Sequence, residues 1–158
     1  MNIKNKLLAI GLSSALATTG LFIAKYEGLI LGTYLDPVGI LTSCFGHTGS
    51  ELKLNQKFTE DQCLKTLAKD LEKHNKEMMK HIKVSLSDEE HAAYLSFVYN
   101  VGVGNFKSST LLKNLNTNKR EEACNQLTRW VFAKGKKLKG LVARRGEERK
   151  LCLSGLTN

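Results

Sequence analysis

The spacing of apolar residues changes twice along the chain, and each change predicts a different kind of element. Leu7 to Ala24 carries no charge and follows Lys4 and Lys6. Residues 30–57 have short apolar runs, with turns at Asp36–Gly39 and Gly46–Gly49. They read as a small β-rich lobe. From Thr59 onward helical spacing takes over. Thr59-Glu60-Asp61-Gln62 is a capping box, after which Leu64, Leu67, Ala68 and Leu71 recur on one face. This helix, about 59–80, is expected to link two lobes. Lys65, Lys69, Lys73, Lys76 and Lys80 form its solvated face. Ser87-Asp88-Glu89-Glu90 opens a second helix, through Ala92, Ala93, Leu95, Phe97 and Val98 to near Gly102. Ser109 and Thr110 precede a short helix with Leu111, Leu112 and Leu115. Thr117 is predicted to cap a helix running through Glu121, Ala123, Leu127 and Trp130. Gly135–Gly140 reads as a lysine-rich loop and Leu141–Leu153 as the last helix. The pattern predicts an α+β, mainly helical protein, with a β-rich N-terminal lobe and a larger helical lobe over about 84–155.

Two carboxylates stand out within this pattern. Glu27 ends the helical run Leu21–Tyr26, while Asp36 ends a strand-like run and opens a turn. Pro37 and Gly39 suit the second and fourth positions of a type I turn. The two acids therefore lie on different elements, one among apolar neighbours and one in a polar turn. Apolar neighbours favour the protonated form of a carboxyl and polar ones the ionised form, so such a pair can divide into acid and base. Glycoside hydrolysis requires a pair of this kind across the scissile bond. Spacing alone is weak evidence, since two solvated surface charges are the commoner arrangement.

The order of motifs is more specific. Glu27-Gly28, Tyr34-x-Asp36-x-x-Gly39, Thr42 and Gly46-His47-Thr48 resemble the phage-type lysozymes, glycoside hydrolase family 24. The likeness continues through Ser96–Gly104, Phe106-x-x-Ser109-Thr110-Leu111-Leu112, Arg129-Trp130, Gly140-Leu141, Arg144-Arg145 and Glu148-Arg149, covering about residues 20–153. Ser43, Cys44 and Phe45 depart modestly from the family pattern. The resemblance implies a lysozyme-like fold with a cleft between the lobes. It also implies a muramidase that cuts the β-1,4 bond between N-acetylmuramic acid and N-acetylglucosamine in peptidoglycan. In that scheme Glu27 is the general acid, Asp36 directs water, and Thr42 helps to hold it. Thr48, Tyr99, Asn100 and Ser109 become substrate-binding candidates, an N-cap being the plain alternative for Ser109. His47, Arg144 and Arg145 are expected to be structural, and one of the two arginines to pair with Glu27. Trp130 is expected in the core.

Composition narrows the class. The chain has 158 residues, enough for one domain or two small lobes sharing a core. Its 24 basic residues exceed 15 acidic ones, giving a net charge of +9. That balance favours anionic partners such as a bacterial envelope. No basic-aromatic motif or zinc finger supports a nucleic-acid partner, and none is expected. No CxxC or Cys/His cluster appears, so neither metal nor cofactor is expected. Cys44, Cys63, Cys124 and Cys152 permit two disulfides with three connectivities. One pair in each half, Cys44–Cys63 and Cys124–Cys152, is the expectation. A monomer is expected.

Leu7–Ala24 has three readings. It is near the minimum length for a membrane span, but Gly11, Ser13, Ser14, Thr18, Thr19 and Gly20 dilute it. Ala15-Leu16-Ala17 is a possible signal-peptide cleavage site. A buried core helix is the second reading. The third, implied by the resemblance, is a signal anchor that is later released. Residues 1–24 would then hold the protein in the host inner membrane through residues 7–24. The catalytic domain, residues 20–158, would stay inactive until release to the periplasm. A rival class is a basic, membrane-disrupting antimicrobial protein without catalysis.

Overall fold

The computed structural model describes residues 1–157 and is α+β, mainly helical. The chain forms two compact units, residues 1–72 and 73–158.

The first unit opens with α1 (Ile3–Ala9) and α2 (Ser14–Glu27). The uncharged N-terminal stretch is therefore not one helix. Gly11 takes a φ of 107°, and the Ser13 hydroxyl accepts the Leu16 N–H at 3.3 Å to start α2. The first feature ends one helix and the second begins another. No helix among the described residues is long and apolar enough to cross a membrane. Leu7, Leu12, Ala15, Leu16, Ala17 and Ile23 are buried, whereas Leu21 is exposed.

Gly20 is the close-approach point of α1. A Cβ there would lie 2.1 Å from Leu7 Cδ1 and 3.4 Å from Leu71 Cδ1. Gly20→Leu should therefore push Leu7 out of its site. Overpacking costs about 1–3 kcal/mol, which exceeds the helix-propensity gain of roughly 0.8–1 kcal/mol. A lower urea midpoint and faster proteolysis within residues 1–12 are the expected results.

After Gly28 the chain forms a three-stranded antiparallel sheet in the order β1 (Ile30–Leu35), β2 (Leu41–Cys44), β3 (His47–Thr48). Tyr34 pairs with Thr42, and Thr42 with Thr48. A disulfide joins Cys44 to Cys63. It ties β2 to α3 (Glu60–Met79), whose Thr59–Gln62 capping box forms in both directions. The division between the units falls inside α3, after Glu72. Ser43, Cys44 and Phe45, the departures from the family pattern, are all buried.

The second unit contains α4 (Asp88–Val101), α5 (Val103–Lys107), α6 (Thr110–Asn116), α7 (Arg120–Gln126) and α8 (Lys139–Ser154). The Ser87–Glu90 capping box starts α4. Tyr94, Leu95, Phe97, Phe106, Leu111 and Leu127 are buried, and α4 packs on α8. A second disulfide, Cys124–Cys152, joins α7 to α8.

Three expectations need correction here. Thr117 closes α6 instead of opening the next helix: its hydroxyl donates back to the Lys113 carbonyl at 2.9 Å. Asn118 then takes a φ of 61°, which separates the two helices. Trp130 lies beyond α7 and a 3-10 turn at Leu127–Arg129, and meets Phe97 edge-on at 5.3 Å. The lysine-rich loop is a hairpin, β4 (Phe132–Ala133) with β5 (Lys136–Lys137), followed directly by α8.

Candidate active site

Glu27 is the last residue of α2, and Gly28 caps the helix at a φ of 73°. The Glu27 carboxylate packs against bare backbone at Gly46. A Cβ on Gly46 would meet Glu27 Oε2 at 3.1 Å, and the φ of Gly46 is 74°. Two reasons thus favour glycine there, the left-handed backbone and the room for the acid.

Asp36 follows β1 and opens the expected turn. Its carbonyl accepts the Gly39 N–H at 2.9 Å. Its side-chain Oδ1 accepts two further backbone N–H groups, from Val38 at 2.9 Å and Ile40 at 2.8 Å. These bonds hold the carboxylate in one orientation.

Tyr34 relates the two acids. Burial, then the charges of Glu27 and Asp36, raise its phenol above the ordinary 10.0. Both carboxylates therefore act electrostatically on one ring. Tyr34 belongs to the Tyr-x-Asp motif, but the sequence assigns it no role of its own.

Thr42 is buried beside Tyr34 in the sheet register. Its hydroxyl donates to the Ile40 carbonyl at 3.0 Å, which leaves the oxygen as an acceptor. Thr48, next in that row, is exposed.

His47 is held from both sides. Nδ1 lies 2.7 Å from Asp70 Oδ2 and Nε2 lies 2.6 Å from Glu51 Oε1. Two carboxylate partners favour the imidazolium, in which both ring nitrogens donate. Burial alone would lower its pKa, but the hydrogen bonds to Glu51 and Asp70 and their charges outweigh it and raise it above 6.5. His47 holds the Glu51 side of the lobe to α3, a structural role. The raised value stabilises the fold fully below pH 6.5, and that stabilisation is lost as pH rises through the folded value. The Glu51 carboxyl is lowered, chiefly by the His47 hydrogen bond, so its contribution is lost as pH falls below about 4.5. Thermal midpoints of wild type and His47→Asn should differ most at about pH 5–6 and converge as pH rises through the folded value.

The remaining candidates lie in the second unit. Tyr99 stacks at a tilt on His74, with centroids 5.0 Å apart. Asn100 is exposed, and its Oδ1 accepts from Arg145 Nη2 at 2.7 Å. Ser109 is the N-cap of α6: it accepts the Leu112 N–H and donates to the Phe106 carbonyl. Its hydroxyl is thus engaged twice in the local turn, which is the alternative role expected for it.

Arg144 and Arg145 are buried around Glu148. Arg144 Nε lies 3.3 Å from Glu148 Oε1, and Arg144 Nη2 donates to the Ser96 carbonyl. The Ser96 hydroxyl donates to Glu148 Oε1 at 2.7 Å. Arg145 Nε approaches Glu148 Oε2 at 3.1 Å as an ion pair, poorly aligned for a hydrogen bond. Its guanidinium also lies over Phe97 at 5.0 Å. Burial pushes the Glu148 carboxyl up, opposed by Arg145, Ser96 and Arg144. Glu148 is quoted in the sequence pattern, yet only the fold reveals it as the hub.

The family profile of the phage lysozymes matches residues 24–148, a span that includes both acids and the Arg144–Glu148 cluster. The chain belongs to the phage lysozyme family. The SAR-endolysin of Bacteriophage PS119 is 43% identical over 93% of this chain and 88% of its own. The endolysin of Escherichia coli O157:H7 phage FAHEc1 superposes with a TM-score of 0.77 at 31% identity, covering 86% of this chain and 90% of its own. The active form of the P1 phage endolysin Lyz gives a TM-score of 0.86, over 98% of this chain and 93% of its own. At 24% identity, that last likeness is one of fold. Within the matched span, Glu27 ends α2, Asp36 follows β1 and Thr42 lies within β2.

Proposed function

We propose that this lysozyme is a phage endolysin that hydrolyses the β-1,4 bond between N-acetylmuramic acid and N-acetylglucosamine in peptidoglycan and so lyses the host. Glu27 protonates the leaving oxygen. Asp36, ionised, stabilises the oxocarbenium-like charge and directs water, which Thr42 helps to hold. The arrangement around Glu27 carries this reading. The acid abuts the Gly46 backbone, and it shares the electrostatic environment of Tyr34 with an Asp36 held by backbone N–H groups. The Thr42 oxygen, its O–H directed at the Ile40 carbonyl, is free to accept from the attacking water's O–H. Thr48, Tyr99, Asn100 and Ser109 contact the sugar chain. Inversion requires carboxylates roughly 6.5–9.5 Å apart, with a water between them. Reducing ends should appear from purified peptidoglycan, with the new anomer inverted. Absence of new reducing ends would overturn the reading.

The SAR-endolysin name of the PS119 relative supports a releasable anchor for this chain too. While Leu7–Ala24 spans the inner membrane, α1 cannot fold back and Leu7 cannot reach Gly20. Glu27 would then sit at the bilayer surface, three residues beyond Ala24, outside its site. Release to the periplasm lets the stretch break at Gly11–Ser13 and pack as two helices. Collapse of the membrane potential is the proposed trigger. Cell fractionation before and after an uncoupler should show the chain moving from membrane to periplasm as wall hydrolysis begins.

A further inference from the structure

The β4–β5 hairpin is unexplained by sugar hydrolysis. Each strand has two residues, too little pairing for the hairpin to be stable alone. Lys134 and Gly135 have φ values of 52° and 76°, the two left-handed residues that a tight two-residue hairpin turn requires. Every residue from 132 to 140 is exposed. Among them Phe132 is 62% exposed and Leu138 42%; Val142 nearby is also 42% exposed. Lys134, Lys136, Lys137 and Lys139 accompany them. From residue 123 to 146 there is no Asp or Glu. A recess of ≈ 350 Å³ is lined by Lys137, Lys139 and Val142.

We infer that this hairpin is a docking surface for an anionic phospholipid membrane. Phe132 enters the interface, Leu138 and Val142 meet the acyl boundary, and the lysines meet lipid phosphates. Charge alone would suit any polyanion. The aliphatic groups of Leu138 and Val142 beside the phenyl favour one occupant, because a bilayer interface buries all three. Phe132 and Lys137 are cross-strand partners, so aromatic and ammonium groups stand side by side. The recess beside Lys137, Lys139 and Val142 is lined mostly by apolar atoms, which suits an acyl chain with the ammonium groups at its rim. The surface includes none of the N-terminal stretch or the proposed catalytic residues, so it would give the released, periplasmic enzyme a reversible hold on the membrane that does not depend on the anchor.

Flotation of the full chain with phosphatidylglycerol-containing vesicles, against pure phosphatidylcholine, tests this. Wild type should bind the anionic vesicles more tightly. Lys134→Ser/Lys136→Ser/Lys137→Ser should weaken that binding on the order of 100-fold, roughly fivefold per lysine. Phe132→Ser should weaken it roughly tenfold. Both variants should keep their thermal midpoints and full hydrolysis of purified peptidoglycan. Phe132→Trp gives a signal that survives if the triple variant misfolds. Brominated lipid should quench it beyond the quenching of wild type, whose one tryptophan is Trp130. Unchanged vesicle affinity in the folded triple variant, or no added quenching of Phe132→Trp, would overturn the inference. Loss of binding to purified wall with vesicle binding intact would overturn it in favour of a wall polymer.

Discussion

Glu27→Gln is expected to fold normally and to release sugar from purified peptidoglycan on the order of 10²–10⁴-fold more slowly. The amide matches the carboxyl in shape, so it still fits against Gly46 at the end of α2. What it lacks is a transferable proton. Asp36, with its two backbone hydrogen bonds, is untouched by the change and still able to stabilise positive charge. The loss should therefore fall on turnover, with substrate binding little changed. Near-normal turnover with an unchanged thermal midpoint would remove Glu27 from the role. The same variant separates the enzyme from a membrane-disrupting protein, because killing without chemistry would survive it.

Glu148→Ala should lower unfolding free energy by about 3–5 kcal/mol, the usual consequence of removing one member of a buried ion cluster. Glu148, Arg144 and Arg145 are all nearly inaccessible to solvent. Deleting the carboxylate leaves two guanidinium groups without their shared counter-charge and the Ser96 hydroxyl without its acceptor. Arg145 also orients Asn100, so a local rearrangement should reach an exposed candidate for sugar contact. The shift of the urea midpoint measures the stability effect. A loss below about 1 kcal/mol would mean that the cluster relaxes or is rehydrated.

Local rules were the readable part of the fold. The Thr59–Gln62 and Ser87–Glu90 boxes and the Asp36–Gly39 turn depend on groups within four residues of each other, and all three form as expected. Thr117 shows the limit. A threonine hydroxyl can serve the helix behind it as well as the one ahead, and here it bonds back to Lys113. The lysine-rich segment showed no alternation, because four strand residues around a two-residue turn are too few to display a period. The N-terminal stretch looked continuous for a different reason. Hydropathy averages over its length, whereas the break depends on one glycine dihedral and one serine cap.

The sequence by itself determined the family, the mainly helical α+β class, the two acids on separate elements and the half-by-half placement of cysteines. Each follows from residue order or from contacts within a turn or two. Only the tertiary structure decided that His47 meets Asp70, that Ser96 joins Glu148, and that Leu7 covers Gly20. Those partners lie up to 52 residues apart, as with Ser96 and Glu148. No local preference distinguishes them from other residues of the same type, so the choice rests on which surfaces the packed helices and strands bring within reach.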